Sequence, residues 1–160
     1  MDKPTLALSI KQPWAWLICK GFKDIENRDW RIGRNPNYGL YKSQKANFRV
    51  ELPQRIYVHA GCRFDTWALT DFRLCSWMSD SLIDEKTDKY LDQLYKTWKA
   101  GAIIGEVTIT GCVDKSDSPW FVGKYGFVLD DPVLYDKPIT CRGMLGFWKV
   151  DPNLIKESGR

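Results

Sequence analysis

The chain has 160 residues, of which 44% are hydrophobic and 28% are charged, as is typical of a globular domain. This composition excludes a collagen-like repeat and a disordered chain, and no apolar run reaches the roughly 18 residues that span a bilayer. The net charge of +4 is uneven, because residues 1–63 carry 12 Lys/Arg and 5 Asp/Glu whereas residues 64–160 carry 12 and 15. This asymmetry indicates either a basic face for an anionic partner or a plain solvated surface.

The first half of the chain predicts two short strands around a helix. Residues 5–10 predict a strand and residues 11–22 a helix, with Pro13 in its first turn and Gly21 at its C-terminal end. Residues 23–30 alternate between polar and apolar and predict a second strand. Residues 31–54 predict an exposed loop, and residues 55–60 a buried strand.

The second half predicts a helical insertion followed by three strands. Residues 64–79 and 87–99 predict helices, in which Trp67, Trp77 and Trp98 are assigned to packing. Strands are predicted at 102–114, at 127–135 with a break at Asp-Pro, and at 143–151, with a turn after Pro138. Because consecutive strands come late, we expect an α+β domain over 1–160: a small, mostly antiparallel β-barrel with flanking helices.

The cysteine and histidine counts limit the chemistry. The five cysteines are odd in number and form no CxxC pair, so we expect reduced thiols in the cytoplasm, and the N-terminus has no signal-peptide pattern. A single histidine excludes a zinc site built from several histidines. We therefore expect that no metal is needed, although carboxylates could still hold a magnesium ion, and we expect no cofactor. His59 and Cys62 suggest a catalytic pair only weakly, because no third group orients them.

The densest polar segment is residues 20–30. If 24–30 is extended, one face carries Asp24, Glu26, Arg28 and Trp30, and the other carries Ile25, Asn27 and Asp29. Such an Arg–Glu pair either lies in solvent, where it contributes little, or lines a cleft that binds phosphate and a base edge. Because the polar run 21–28 offers little apolar surface to bury, we expect substitutions of Lys23 or Glu26 to change folding little.

The segment 8–30 resembles the opening signature of ASCH domains, a branch of the PUA-like superfamily. Its pattern G-x-K-x-x-E-x-R is met by Gly21, Lys23, Glu26 and Arg28. Further matches follow in order at 56–61 (IYVHAG), 101–105 (GAIIG), 118–121 (SPWF), 125–129 (YGFVL) and 141–148 (CRGMLGFW). Residues 31–54 and 64–99 carry little of the resemblance.

The resemblance implies a PUA-like barrel with a cleft beside the first helix and RNA, or a modified nucleoside, as ligand. The residues that it implies for binding are Lys11, Gln12, Trp14, Lys23, Glu26, Asn27, Arg28, His59, Ser118, Trp120, Tyr125 and Arg142. For His59 a structural role, and for Arg142 a simple turn, remain alternatives.

Catalysis is the alternative function. Some relatives hydrolyse acetylated cytidine and others cut RNA, so Lys23 and Glu26 are candidate acid–base residues of a metal-independent hydrolase. Glu26 stands where the small hydrolases have a threonine, and this departure favours binding. A protein partner on residues 64–99 is a third alternative, and nothing in the sequence indicates a membrane.

Overall fold

The computed structural model describes residues 3–32, 50–71 and 98–160. Most of the predicted loop 31–54 and of the predicted helical insertion 64–99 lies outside the described residues. The elements are β1 (Leu6–Gln12), α1 (Trp14–Cys19), β2 (Ile25–Arg28), β3 (Gln54–Phe64), a 3-10 helix (Thr66–Thr70), β4 (Ala102–Val113), β5 (Tyr125–Thr140), β6 (Phe147–Lys149) and α2 (Pro152–Glu157).

The six strands form one mixed sheet in the order β2-β5-β4-β3-β1-β6. Only the β1–β3 pair is parallel among these neighbours, so the predicted α+β class and the mainly antiparallel pairing are confirmed. No helix within the described residues is long and apolar enough to cross a membrane.

The helix α1 is shorter than the predicted helix because its first residues belong to β1. Pro13 precedes the first helical turn, and the Gln12 side-chain oxygen accepts from the Trp16 N–H at 3.0 Å, which satisfies one free donor of that turn. Gly21 has a φ of 81°, a left-handed conformation that glycine adopts without strain, and it lies where the sequence predicted the helix to stop.

Strand β5 does not break at Asp-Pro. It continues for 16 residues, and its pairing with β4 shifts register on both sides of Glu106. Asp131 takes a φ of 50° and absorbs the irregularity as a bulge. Pro138 therefore lies inside the strand and not before a turn, whereas β6 covers only three residues of the predicted 143–151.

The two faces of the sheet carry separate apolar clusters. We call the face packed against α1 the inner face; the other is the outer face, on which Ile155 of α2 packs. The inner cluster includes Leu8, Ile18, Val58, Ile104, Phe127 and Phe147. Glycine is required where α1 crosses β4, because a Cβ on Gly105 would lie 2.7 Å from Cys19 Sγ and 2.1 Å from the Val133 carbonyl oxygen.

The sheet curls so that its two ends meet. Arg28 on β2, at one end of the strand order, donates from Nη2 to the Ser9 carbonyl oxygen of β1 at 3.0 Å. Trp30, just after β2, has its ring centroid 5.0 Å from that of Phe127 and 5.7 Å from that of Phe147 on β6. Residues distant in strand order are thereby neighbours in space, and the candidate site lies at this junction.

Candidate ligand-binding site

Glu26 bridges two cations at the junction of the sheet ends. Its Oε1 lies 3.0 Å from Arg28 Nη2, and its Oε2 lies 3.3 Å from Lys23 Nζ. Strand alternation places Glu26 and Arg28 on one face, as predicted. Glu26 pairs in register with Phe127, so this face is the inner one. We call Lys23, Glu26 and Arg28 the charged cluster.

The charged cluster is buried. The side chains of Lys23, Glu26 and Arg28 are 5%, 9% and 19% exposed. Lys23 Nζ also donates to the main-chain carbonyl of Ile25, which further compensates its lost hydration. Burial revises the expectation that this run affects folding little, because removing one partner of a buried ion pair leaves an uncompensated charge.

Arg28 connects the cluster to β1 and retains hydrogen-bonding capacity. Its Nη2 donates to the Ser9 carbonyl, and its guanidinium carbon lies 5.9 Å from the Trp30 ring centroid. Its Nε is buried and has no hydrogen-bond partner within the described part of the chain. A buried donor without a partner is costly to keep.

A second group of the sequence-predicted residues joins β2 to the loop between β4 and β5. Asn27 lies on β2, whereas Ser118 and Trp120 lie on the loop. Asn27 donates from Nδ2 to the Trp120 carbonyl at 2.9 Å and accepts from the Val122 N–H at 2.8 Å. The Ser118 hydroxyl donates to Asp24 at 2.6 Å. These bonds attach the loop to β2.

The same loop brings an aromatic ring to α1. The ring centroids of Trp14 and Trp120 are 6.2 Å apart and their planes meet at 70°. Trp14 Nε1 donates to Asp65 at 2.9 Å, which fixes its ring. A half-buried tryptophan at the start of α1 and a half-buried tryptophan of the loop are therefore neighbours.

His59 belongs to a third group that sequence reasoning did not assemble. Its Nδ1 lies 3.2 Å from Ser9 Oγ and its Nε2 3.1 Å from the Cys141 carbonyl oxygen. Ser9 Oγ also accepts from Trp148 Nε1 at 3.2 Å. Burial lowers the pKa of His59, and the bond to the Cys141 carbonyl partly opposes this effect. Ser9 was missed because only the β1–β3 register places it opposite His59.

The other residues predicted to bind ligand range from buried to exposed. Gln12 is 2% exposed, and both ends of its amide bond the main chain, at the Trp16 N–H and the Lys99 carbonyl. Lys11 and Arg142 are exposed. Tyr125 is half-buried and pairs in register with Arg28.

The cysteines show no activated thiol around His59. Both ring nitrogens of His59 bond to groups other than the exposed Cys62, so the suggested Cys–His pair is absent. Burial raises the pKa of Cys19, Cys112 and Cys141, which keeps these thiols protonated. Across 3–32, 50–71 and 98–160, no three His, Cys, Asp or Glu side chains are grouped to hold a metal ion.

The tryptophans assigned to packing differ from one another. Trp98 is buried and stacks on Phe64 with ring centroids 5.0 Å apart. Trp67 is 80% exposed, so its assignment to packing is wrong. The prediction assumed an α-helix over 64–79, in which Trp67 would lie on an apolar face. The described part of this segment instead forms a short 3-10 helix, Thr66–Thr70. Trp77 lies outside the described residues.

Comparison with solved structures gives a structural likeness. No family model matches the chain, and no curated protein matches it. The fold is similar to the crystal structure of a mutant of ZmASCH from Zymomonas mobilis, with 12% sequence identity and a TM-score of 0.48. The match covers 99% of this chain and 96% of that one.

Proposed function

We propose that the protein is a PUA-like domain of the ASCH type whose curled sheet forms a small barrel, and that the cleft beside α1 binds single-stranded RNA or a modified nucleoside. The observation that carries this proposal is the charged cluster, in which a buried carboxylate holds two cations at the junction of the sheet ends. Buried charges of this kind are costly to keep and are frequent in functional sites.

Each group in and around the cleft has a chemical role in this proposal. Arg28 and Lys23 supply positive charge for phosphate, and the Glu26 carboxylate accepts from an exocyclic amine. Trp14 and Trp120 provide ring faces on which an unpaired base stacks, a contact worth roughly 1–3 kcal/mol per base in single-strand binders. The excess of basic residues in 1–63 would add a general attraction for the RNA backbone.

A second candidate function is metal-independent hydrolysis in the same cleft, of RNA or of an acylated cytidine. The observation that favours it is the distance of 3.3 Å between Lys23 Nζ and Glu26 Oε2, both buried. A paired amine and carboxylate can exchange a proton with a bound substrate. The remaining proposals are a cytoplasmic location and a protein partner on residues 64–99.

Binding is tested with a fluorescent single-stranded RNA of about 12 nucleotides and a panel of plain and acetylated nucleosides, each scored for affinity and for product. We expect RNA affinity to fall linearly with salt on logarithmic axes. Replacing Arg28 with alanine should weaken RNA binding and reduce the salt slope by about 0.7, the value for one phosphate contact on a single strand.

The matched control is Arg55→Ala. Arg55 also pairs with two carboxylates, those of Glu106 at 3.4 Å and Asp131 at 3.2 Å, but these lie outside the charged cluster. Binding per folded molecule should therefore change far less than in Arg28→Ala. Absence of RNA and nucleoside binding would contradict the proposal, and product formed with chelator present would favour the hydrolase.

A further inference from the structure

A buried hydrogen-bond chain behind the charged cluster has only one consistent direction. The Cys141 carbonyl can only accept, so His59 Nε2 carries the proton and donates to it. Trp148 Nε1 can only donate, and it donates to Ser9 Oγ. Burial lowers the pKa of His59 and so favours the neutral ring, in which Nδ1 carries no proton and accepts from the Ser9 hydroxyl. In this arrangement the imidazole is neutral and each donor has an acceptor.

The chain is closely packed on both sides. His59 is 2% exposed and Trp148 is 5% exposed, with their ring centroids 5.6 Å apart. Gly143 lies against the Ser9–His59 bond, since a Cβ there would be 2.3 Å from His59 Cε1 and 2.7 Å from Ser9 Oγ. Such packing leaves these groups little freedom to change partners.

Ser9 links this neutral chain to the charged cluster. Its side chain lies in the chain, while its main-chain carbonyl accepts from Arg28 Nη2 at 3.0 Å. The same Nη2 lies 3.0 Å from Glu26 Oε1. The position of one carbonyl group therefore helps to set where the Arg28 guanidinium stands relative to Glu26.

We infer that the Ser9 hydroxyl, His59 and Trp148 form a positioning network that holds the Ser9 carbonyl, and through it the Arg28 guanidinium, in the orientation that binds ligand. Ser9 is thus a positioning residue that acts through Arg28. The inference rests on the proposed function for its ligand, but its structural part concerns the free protein. Such supporting bonds matter because a guanidinium recognises an acceptor only within a narrow range of directions.

The first test is a double-mutant cycle on RNA affinity, using the fluorescent RNA described above. Ser9→Ala should weaken binding about fivefold, as expected for the loss of one hydrogen bond. In an Arg28→Ala background the same change should have no further effect, because the residue that Ser9 positions is gone. Ser9→Thr, which keeps the hydroxyl, should restore most of the affinity. If Ser9→Ala lowered RNA affinity equally in the wild type and in Arg28→Ala, the inference would be overturned.

The second test needs no ligand. Nuclear magnetic resonance of the Arg28 Nε–H and guanidinium groups reports how freely the side chain rotates. Ser9→Ala should accelerate that rotation. Ser158→Ala should not, although it also removes a serine hydroxyl bond, to the Ile155 carbonyl at 2.6 Å in α2. Unchanged Arg28 signals in Ser9→Ala would overturn the inference even if RNA binds. Altered signals in a protein that binds neither RNA nor any nucleoside of the panel would support the positioning network and refute the proposed function.

Discussion

At the scale of single residues, the main finding is that charge lies inside the molecule. Glu26 holds two cations with a side chain that is 9% exposed, and Lys23 beside it is 5% exposed. Buried ion pairs contribute little net stability when intact, yet they are costly to break. The three residues of the charged cluster therefore differ in how a substitution at each affects folding.

Glu26→Gln should destabilise the fold more than Lys23→Met. Glutamine leaves Lys23 and Arg28 without their shared carboxylate, which typically costs about 3–5 kcal/mol. Methionine removes one cation and its desolvation, while Glu26 keeps Arg28 at 3.0 Å. Urea unfolding of both variants measures the difference. The exposed neighbour Asp29, changed to alanine, is the control and should shift the free energy of unfolding by less than about 0.5 kcal/mol. The opposite order of the two main variants would contradict this account.

We expect the folded protein to lose stability on mild acidification because His59 is buried in its neutral form. Burial lowers its pKa in the folded state below the ordinary 6.5, so the unfolded chain binds the proton more tightly. The stability contributed by neutral His59 is therefore complete above about pH 6.5 and decreases as the pH falls, by at most about 1.4 kcal/mol per pH unit. The comparison is urea unfolding of the wild type and His59→Gln between about pH 7.5 and 5.5. Equal pH slopes in the two proteins would show that His59 does not titrate on unfolding.

At the scale of elements, β2 is a short strand that joins three parts of the molecule. Its inner face carries Glu26 and Arg28, while Asn27 on its outer face attaches the loop between β4 and β5. Ile25 is buried against Gly126 on β5, because a Cβ added to Gly126 would lie 2.5 Å from Ile25 Cδ1. The alternation of a four-residue strand thus supplies the cluster, the attachment of the loop and the contact with β5.

Asn27→Ala should release the loop that carries Trp120. The variant loses the bond to the Trp120 carbonyl and the acceptor for the Val122 N–H. A hydrogen bond of this kind contributes about 0.5–1.5 kcal/mol, and Val122 is exposed, so its freed N–H can exchange with water. Amide hydrogen exchange at Val122 should become faster, with little change at Ile103 and Ile109 in the core of β4. Unchanged exchange at Val122 would mean that other contacts hold the loop.

At the scale of the whole molecule, the curl of the sheet creates the site. Arg28 and Ser9 belong to strands that are far apart in the sheet order, yet they share a hydrogen bond of 3.0 Å. Twisted sheets curl when bulges shift their register, as β4 and β5 do at three places. Side chains from β2 and the main chain of β1 meet only because of this curvature.

Chelation should leave both folding and ligand binding unchanged. The chain has a single histidine, and its described residues contain no grouped set of three metal ligands. We expect the same melting temperature and RNA affinity before and after exhaustive treatment with a chelator, with metal content measured by mass spectrometry. Stoichiometric zinc, or a lower melting temperature after chelation, would refute this expectation.

The sequence by itself determined the local features. The alternation in 24–30 predicted that Glu26 and Arg28 share a face, and Gly21 predicted the end of the first helix. The order of the strands from β1 to β5 was also predicted, because periodicity and turn residues act over a few neighbouring residues. The Asp131-Pro132 pair led to a wrong prediction that β5 breaks there. The strand continues because a bulge accommodates these residues where the pairing with β4 shifts register.

Only the tertiary structure decided the burial and the partners of the polar groups. No local pattern indicated that Lys23 and Glu26 are buried, because burial depends on contacts with distant residues, such as the bond from Arg28 to the Ser9 carbonyl of β1. The Ser9–His59 bond joins residues 50 positions apart and follows from the parallel register of β1 and β3. Register and curvature are set by packing of the whole chain, so the sequence offered Glu26 and Arg28 as candidates but did not show that Ser9 of β1 lies beside Arg28.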